Sequence, residues 1–489
     1  MAADKEVDQE TGRDNASDKE ASDERRLSDD SLDLLRDQSS LKDSAASRLN
    51  SSSADKVLVN LEIYDAKASL GDAPPESEYR SDIDGYRDRL IQAGIDPDKV
   101  SVRVGVRELN SADPRNQDFA DSHALTVACA MKDPEFGLSR DMPVKMIKDT
   151  SSDLTDLPDE PEKIAERIAH EAREVLDSFN KTLREQFLDP NNKEPLRVIN
   201  ASNGGTLADF GGMIFNRFRE DPDKYANSIK QMLGEEKGRQ WIDEQKKLLA
   251  EPKPEEPEPT KEEQDARANI TCADFRDRSS ESELSPAPEV LSENSREMLQ
   301  KLVSLAEKAI ADDLKFKESL ERYQQTTREV AERGGIIVIA AANSGEFEAQ
   351  TGVKLQPGSQ YNFLGMSDHV ITVGSSETNK TPGDHSDDRI AAHSSTGTER
   401  FAPTVVAQGV DLPSRQMPDG KVGGTSIAAP IVANVVALML TQNPDLTFDQ
   451  VKQLLRENSR FIPGASPLQQ GAGVLLADQA IIAARASRR

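Results

Sequence analysis

The chain has 489 residues, 61 Lys and Arg against 88 Asp and Glu, and a formal net charge of −27 with 36% hydrophobic residues. The length admits two or three domains, or one large domain with insertions; the acidic balance argues against a general nucleic-acid binder and against docking on an anionic membrane. The two cysteines, Cys129 and Cys272, lie far apart in unlike contexts, which argues against a disulfide framework or a cysteine-rich metal site and fits a reducing compartment.

Residues 1–55 are rich in Asp, Glu, Ser and Lys, too poor in apolar surface to offset ordering entropy, and are predicted to be a disordered acidic tail. The start has no apolar h-region, so no Sec-type signal is expected and the predicted location is the cytoplasm, with signal-independent export left open. The longest strongly apolar stretch, Ile427 to Leu440, is too short to span a bilayer. Ordered sequence is expected from residue 56. VLVNLEIYD (57–65) reads as a strand, a helix follows at about 77–94, and the alternator VSVRVGV (100–106) reads as a second strand. Arg103 and Arg107 on that strand suggest a half-exposed edge. A short helix begins near His123, PVKMIKD (143–149) is a strand, and Ile164, Ile168, Val175, Phe179 and Leu183 mark one face of a long helix. RVINAS (197–202) is a strand running into Gly204 and Gly205. Residues 206–330 are charged and helical, interrupted by the proline–glutamate stretch EPKPEEPEPTKEEQ, and are predicted to be a surface insertion. Three further strands lie in GGIIVIAAAN, DHVITVGSS and PTVVAQG, and the last 65 residues are mostly helical. Alternating strands and helices predict an α/β fold, three layers with a mostly parallel sheet and helices on both faces.

The chemistry concentrates in GGTSIAAPIVANVVALML (423–440). A hydroxyl before a helix is explained by capping alone. Here Gly423 and Gly424 permit close backbone approach, Ala428 and Ala429 leave room, and Pro430 lacks the N–H that would bond the Ser426 carbonyl. A helix start also favours developing negative charge. A serine hydroxyl needs a general base. Of five histidines, 123, 170, 369, 385 and 393, His123 opens the segment DSHALTVACAM.

GGTSIAAP resembles the active-serine segment of subtilisin-like serine proteases, the subtilases, and DSHALTVACAM resembles their active-histidine segment, with Val127 and Ala128 matching and Ala124, Thr126 and Cys129 departing from it. IIVIAAANSGE resembles the strand ending in the family's oxyanion asparagine, which implies Asn343 as a donor to a tetrahedral intermediate beside the Ser426 amide. INASNGG resembles the segment on which a substrate backbone pairs, implying Ser202, Gly204 and Gly205 as substrate-binding residues. APTVVAQGV and GAGVLLADQAI match two further segments in order. The resemblance covers about 56–489, apart from 206–330, and implies a subtilisin-like peptidase domain.

The triad acid has two candidates. Asp65 ends the more apolar strand; the loop ELNSADPRNQDFADSH resembles the one from the family's second strand to its histidine, which favours Asp65. Glu108 follows the alternating strand and stays open, because Glu replaces Asp in some hydrolase triads. The resemblance therefore implies a serine endopeptidase acting on protein or peptide substrates through Ser426, His123, Asp65 and Asn343, with no cofactor required. Subtilases often bind structural calcium, but no loop here specifies a site. A subtilase-fold binding module without turnover, and an amidase or esterase using the same triad, are the rival expectations.

Overall fold

The computed structural model describes residues 82–110, 123, 126–128, 130–131, 138–139, 142–150, 154, 156–250, 291–377, 385–410, 412–413 and 421–488. The acidic tail, the predicted strand 57–65 with Asp65, and the proline–glutamate stretch fall outside these residues. The first described element is helix α1 (Asp82–Gln92), within the predicted 77–94. Strand β1 (Val104–Asn110) follows, then helical residues between 123 and 131, strand β2 (Val144–Thr150) and helix α2 (Pro161–Leu183). Strand β3 (Val198–Ala201) leads into α3 (Leu207–Glu220), α4 (Ala226–Leu233), α5 (Glu235–Ala250), α6 (Glu293–Asp312) and α7 (Leu314–Glu332). Strands β4 (Ile336–Ala340), β5 (Ile371–Glu377), β6 (Arg389–Ile390) and β7 (Val405–Gln408) come next, then a two-stranded ribbon of β8 (Leu412–Pro413) and β9 (Lys421–Val422). Helix α8 (Thr425–Gln442), α9 (Phe448–Glu457), β10 (Ser459–Arg460), β11 (Val474–Leu475) and α10 (Ala477–Ala486) complete the chain.

The main sheet runs β10-β11-β7-β5-β4-β3-β1-β2, with β6 added to the end of β5. Every pairing from β2 to β11 is parallel, and only β6 and β10 run antiparallel. Period-2 alternation divides the strands between two cores. Ile199, Ala201, Ile337 and Ile339 face the layer built from α2 to α7. Val104, Val106, Val198, Ile336 and Val338 face α8, α1, α9 and α10. A sheet covered on both faces needs near-continuous apolar strands, and IIVIA of β4 is buried at all five positions.

Three expectations are corrected. The alternating strand begins at Val104 rather than Val100, because its ladder starts only where β2 and β3 begin, at Val104↔Val144 and Val104↔Val198. It is also no edge strand: β1 is paired on both sides. Arg107 is buried, its guanidinium carbon 4.8 Å from the Phe179 ring centroid and its Nη1 donating to Asn203 Oδ1 at 3.2 Å. A stacked, hydrogen-bonded arginine satisfies burial in a way that its charge does not advertise. The helices within 206–330 are likewise no surface addition. Phe210, Phe215 and Phe218 of α3, Met298, Leu302 and Val303 of α6, and Tyr323 and Val330 of α7 are buried in the core on one face of the sheet. Their charged residues occupy the opposite faces of amphipathic helices, and mean composition conceals the apolar stripes.

Candidate active site

Order within the sheet fixes where a site can form. Between β1 and β2 the described helical residues 123, 126–128, 130 and 131 lie on the α8 side, where Val127 and Met131 share a core with Ile427 and Ile431. From β3 the chain passes to β4 through α3 to α7 on the other side. Neighbouring β1 and β3 therefore send their chains to opposite faces, and the crevice beyond their carboxyl ends is the topological switch point where open α/β sheets bind ligands.

Helix α8 starts at that edge. The Gly424 N–H donates to Gly409 O at 2.8 Å, one residue past β7. Gly424 is the N-cap, with φ 134°, and as a glycine it offers the helix no side-chain cap. The capping explanation for Thr425 and Ser426 is thereby excluded. Thr425 instead directs both its N–H (2.8 Å) and its hydroxyl (2.9 Å) to Asn343 Oδ1. Two donors on one oxygen fix the amide's orientation and leave Nδ2 as the outward group. A Cβ at Gly424 would stand 3.1 Å from Ser426 Oγ and 3.2 Å from Asn343 Nδ2, so glycine keeps open a small space bordered by both atoms.

Ser202, a candidate substrate contact, turns its hydroxyl to α8. Pro430 deprives the Ser426 carbonyl of its helical donor, and the Ser202 hydroxyl replaces it at 2.8 Å. Asn200 Nδ2 in turn donates to Ser202 Oγ at 2.8 Å. The nucleophile candidate is thus tied to β3 by a bond no local pattern announces. Gly204 lies against Asn362, whose Oδ1 would be 2.1 Å from an added Cβ. The Gly205 carbonyl accepts from Phe363 N at 3.0 Å, which removes that group from pairing with a substrate.

The described helical residues that follow His123 pack beside α8. α8 runs from the carboxyl edge to the amino edge, where Arg197, just before β3, donates to Pro444 O. Asn434 Nδ2 donates to Met131 O at 2.5 Å. Ser426 stands eight residues before Asn434 along α8, about 12 Å, and His123 precedes Met131 by eight residues in the chain. Burial lowers the His123 pKa to about 4, favouring the neutral imidazole. Glu108 belongs to β1, two residues beyond the Val106↔Asn200 pair and therefore level with Ser202. Asp65 lies outside the described residues. Among those residues no group of three His, Cys, Asp or Glu is placed to hold a metal ion.

The sequence pattern of the subtilase family, Peptidase_S8, matches residues 304–473. This range contains Asn343 and Ser426; His123, Glu108 and Asp65 precede it. The serine protease AprX of Bacillus subtilis is 34% identical over 167 residues, 30% of this chain and 35% of AprX. The subtilisin-like protease SBT6.1 of Arabidopsis thaliana is 33% identical over 108 residues, 19% of this chain and 10% of that protein. This chain thus spans about a third or less of these relatives. Among solved structures, MycP1 from the ESX-1 type VII secretion system is 14% identical, with 84% of this chain and 87% of that one covered at a TM-score of 0.42. A lanthipeptide protease is 14% identical, with 82% and 93% covered at a TM-score of 0.39. The subtilase pattern thus lies over residues 304–473, the part of the mostly parallel sheet domain that holds Asn343 and Ser426.

Proposed function

We propose that this chain is a serine endopeptidase acting on protein or peptide substrates. The observation that carries the reading is the space in front of Gly424, bordered by Ser426 Oγ and Asn343 Nδ2, with the serine hydroxyl not spent on capping. Ser426 Oγ attacks the peptide carbonyl carbon while His123 accepts its proton and later returns it to the leaving amine. Asn343 Nδ2 and the Ser426 N–H, one of the first-turn amides that lack a helical acceptor, bond the oxyanion. Water then releases the acyl group by the same route.

A carboxylate must orient the imidazole and stabilise its cation. We assign this role to Glu108 in preference to Asp65. β1 is paired on both sides, its carboxyl end lies at the switch point, and residue 108 is level with the Ser202 that holds Ser426. The buried Arg107 removes the argument that had set this strand at an edge.

The test is labelling of the purified chain with a fluorophosphonate, together with hydrolysis of fluorescent casein. Prompt labelling that is lost in Ser426→Ala, with casein turnover, supports the endopeptidase. Labelling with turnover of esters but not casein would indicate the esterase, and a folded chain that never labels would indicate a binding module.

A further inference from the structure

We infer that Asp209 is a positioning residue for the oxyanion donor: through Ser344 it holds the turn 342–345 in the strained form that presents Asn343. This rests on the reading of Asn343 given above. The strain is local and specific. Ala342, immediately before Asn343, has φ 88° and is the sole non-glycine residue with positive φ among those described. An alanine there is disfavoured by roughly 1–2 kcal/mol and persists only where its surroundings over-determine it.

The surroundings act from two sides. On one side, Ser395 N donates to Ala342 O at 3.0 Å, Ser344 N donates to Ser395 Oγ at 2.9 Å, and Gly345 N donates to His393 O at 2.9 Å. Gly345 must be glycine for this approach, since a Cβ would meet Ser394 O at 2.4 Å. On the other side, the buried Ser344 hydroxyl donates to Asp209 Oδ1 at 3.2 Å and lies 3.4 Å from Thr206 Oγ1. Asp209 is itself fixed at the start of α3. Its N–H donates to Thr206 Oγ1 at 3.0 Å, and its Oδ2 accepts from Thr206 N at 3.1 Å. One carboxylate thus closes a helix cap with one oxygen and grips the catalytic turn with the other. A cap alone would need only the first. Burial pushes the Asp209 pKa up to about 6, so it is kept against its own solvation preference.

The experiment measures fluorophosphonate labelling of Ser426 in the full chain, resolving the saturating rate from the half-saturating concentration. Asp209→Ala is expected to lower the saturating rate about tenfold with little change in half-saturation. Ser344→Ala, which leaves the helix cap intact, should lower it in the same direction. In an Ala342→Gly background, where positive φ carries no penalty, the loss on Asp209→Ala should shrink. Near-UV circular dichroism confirms folding of each variant. Asn343→Ala serves as the reference. If it leaves the rate unchanged, the oxyanion reading itself fails. If it lowers the rate while folded Asp209→Ala and Ser344→Ala do not, or if the Ala342→Gly background gives no relief, the Asp209 inference is overturned.

Discussion

At the scale of single residues, what a motif can announce is chemical identity, and what it cannot announce is a distant partner. Ser426 and Asn343 were legible because short patterns name them, and they border one space. The consequence of Pro430 was legible as well, since a missing N–H leaves a carbonyl over. Its replacement, Ser202, was not, because the two residues are 224 positions apart and only the parallel sheet joins them. His123 was named by pattern but its environment was not. Burial holds its pKa near 4, well below the ordinary 6.5. A base works while it is neutral, so lowering the pKa extends activity toward acid. The fluorophosphonate labelling rate of Ser426 is therefore expected to stay level from neutral pH to about 5 and to fall around pH 4. A fall centred near 6.5 would show an imidazole open to solvent.

At the scale of elements, periodicity identified the longer strands, β1 to β5 and β7, but not the two-residue strands β6 and β8 to β11, which exist only through their neighbours. The alternator around residue 100 was found, yet its start shifted to Val104, because a parallel strand begins where its partners begin. Arg107 read as a solvent-facing charge until Phe179 and Asn203 covered it. The helices from α3 to α7 read as additions because charge per residue says nothing about its distribution around a helix. These corrections bear on the acid. With β1 paired on both sides and its residue 108 level with Ser202, Glu108→Gln is expected to lower casein turnover on the order of 10³–10⁴-fold, the cost of losing the group that sets the imidazole tautomer. Asp65→Asn should change it by less than about threefold. Steady-state kinetics of both variants decide the matter; the reverse ranking would return the acid to Asp65.

At the scale of the whole molecule, one helix shows how context overrides composition. α8 is 18 residues long with mean hydropathy 1.5, enough to match a membrane span, yet 89% of it is buried between the sheet and the helices α9 and α10. The site at its start is held by groups that work against global stability in one pH range and for it in another. Asp209 has a folded pKa raised to about 6 from 3.8. Its contribution is fully favourable below about 3.8 and is lost as pH rises through 6, since the folded state binds the proton more tightly than the unfolded chain. His123 and His393 have folded pKa values lowered to about 4 from 6.5. Their contribution is present above 6.5 and is lost as pH falls through 4. The opposed slopes partly cancel in the native profile, so only a difference between proteins isolates either group. Asp209→Asn keeps the size of the side chain and removes its ionisation. Its Tm relative to the parent is expected to rise between pH 4 and pH 6 and to stay constant above that, as measured by thermal melts in matched buffers. A difference that is flat with pH would mean that Asp209 ionises as freely in the folded chain as in the unfolded one. A stabilised variant that is also slower to label at Ser426 would identify Asp209 as a residue retained for catalysis at a cost to the fold.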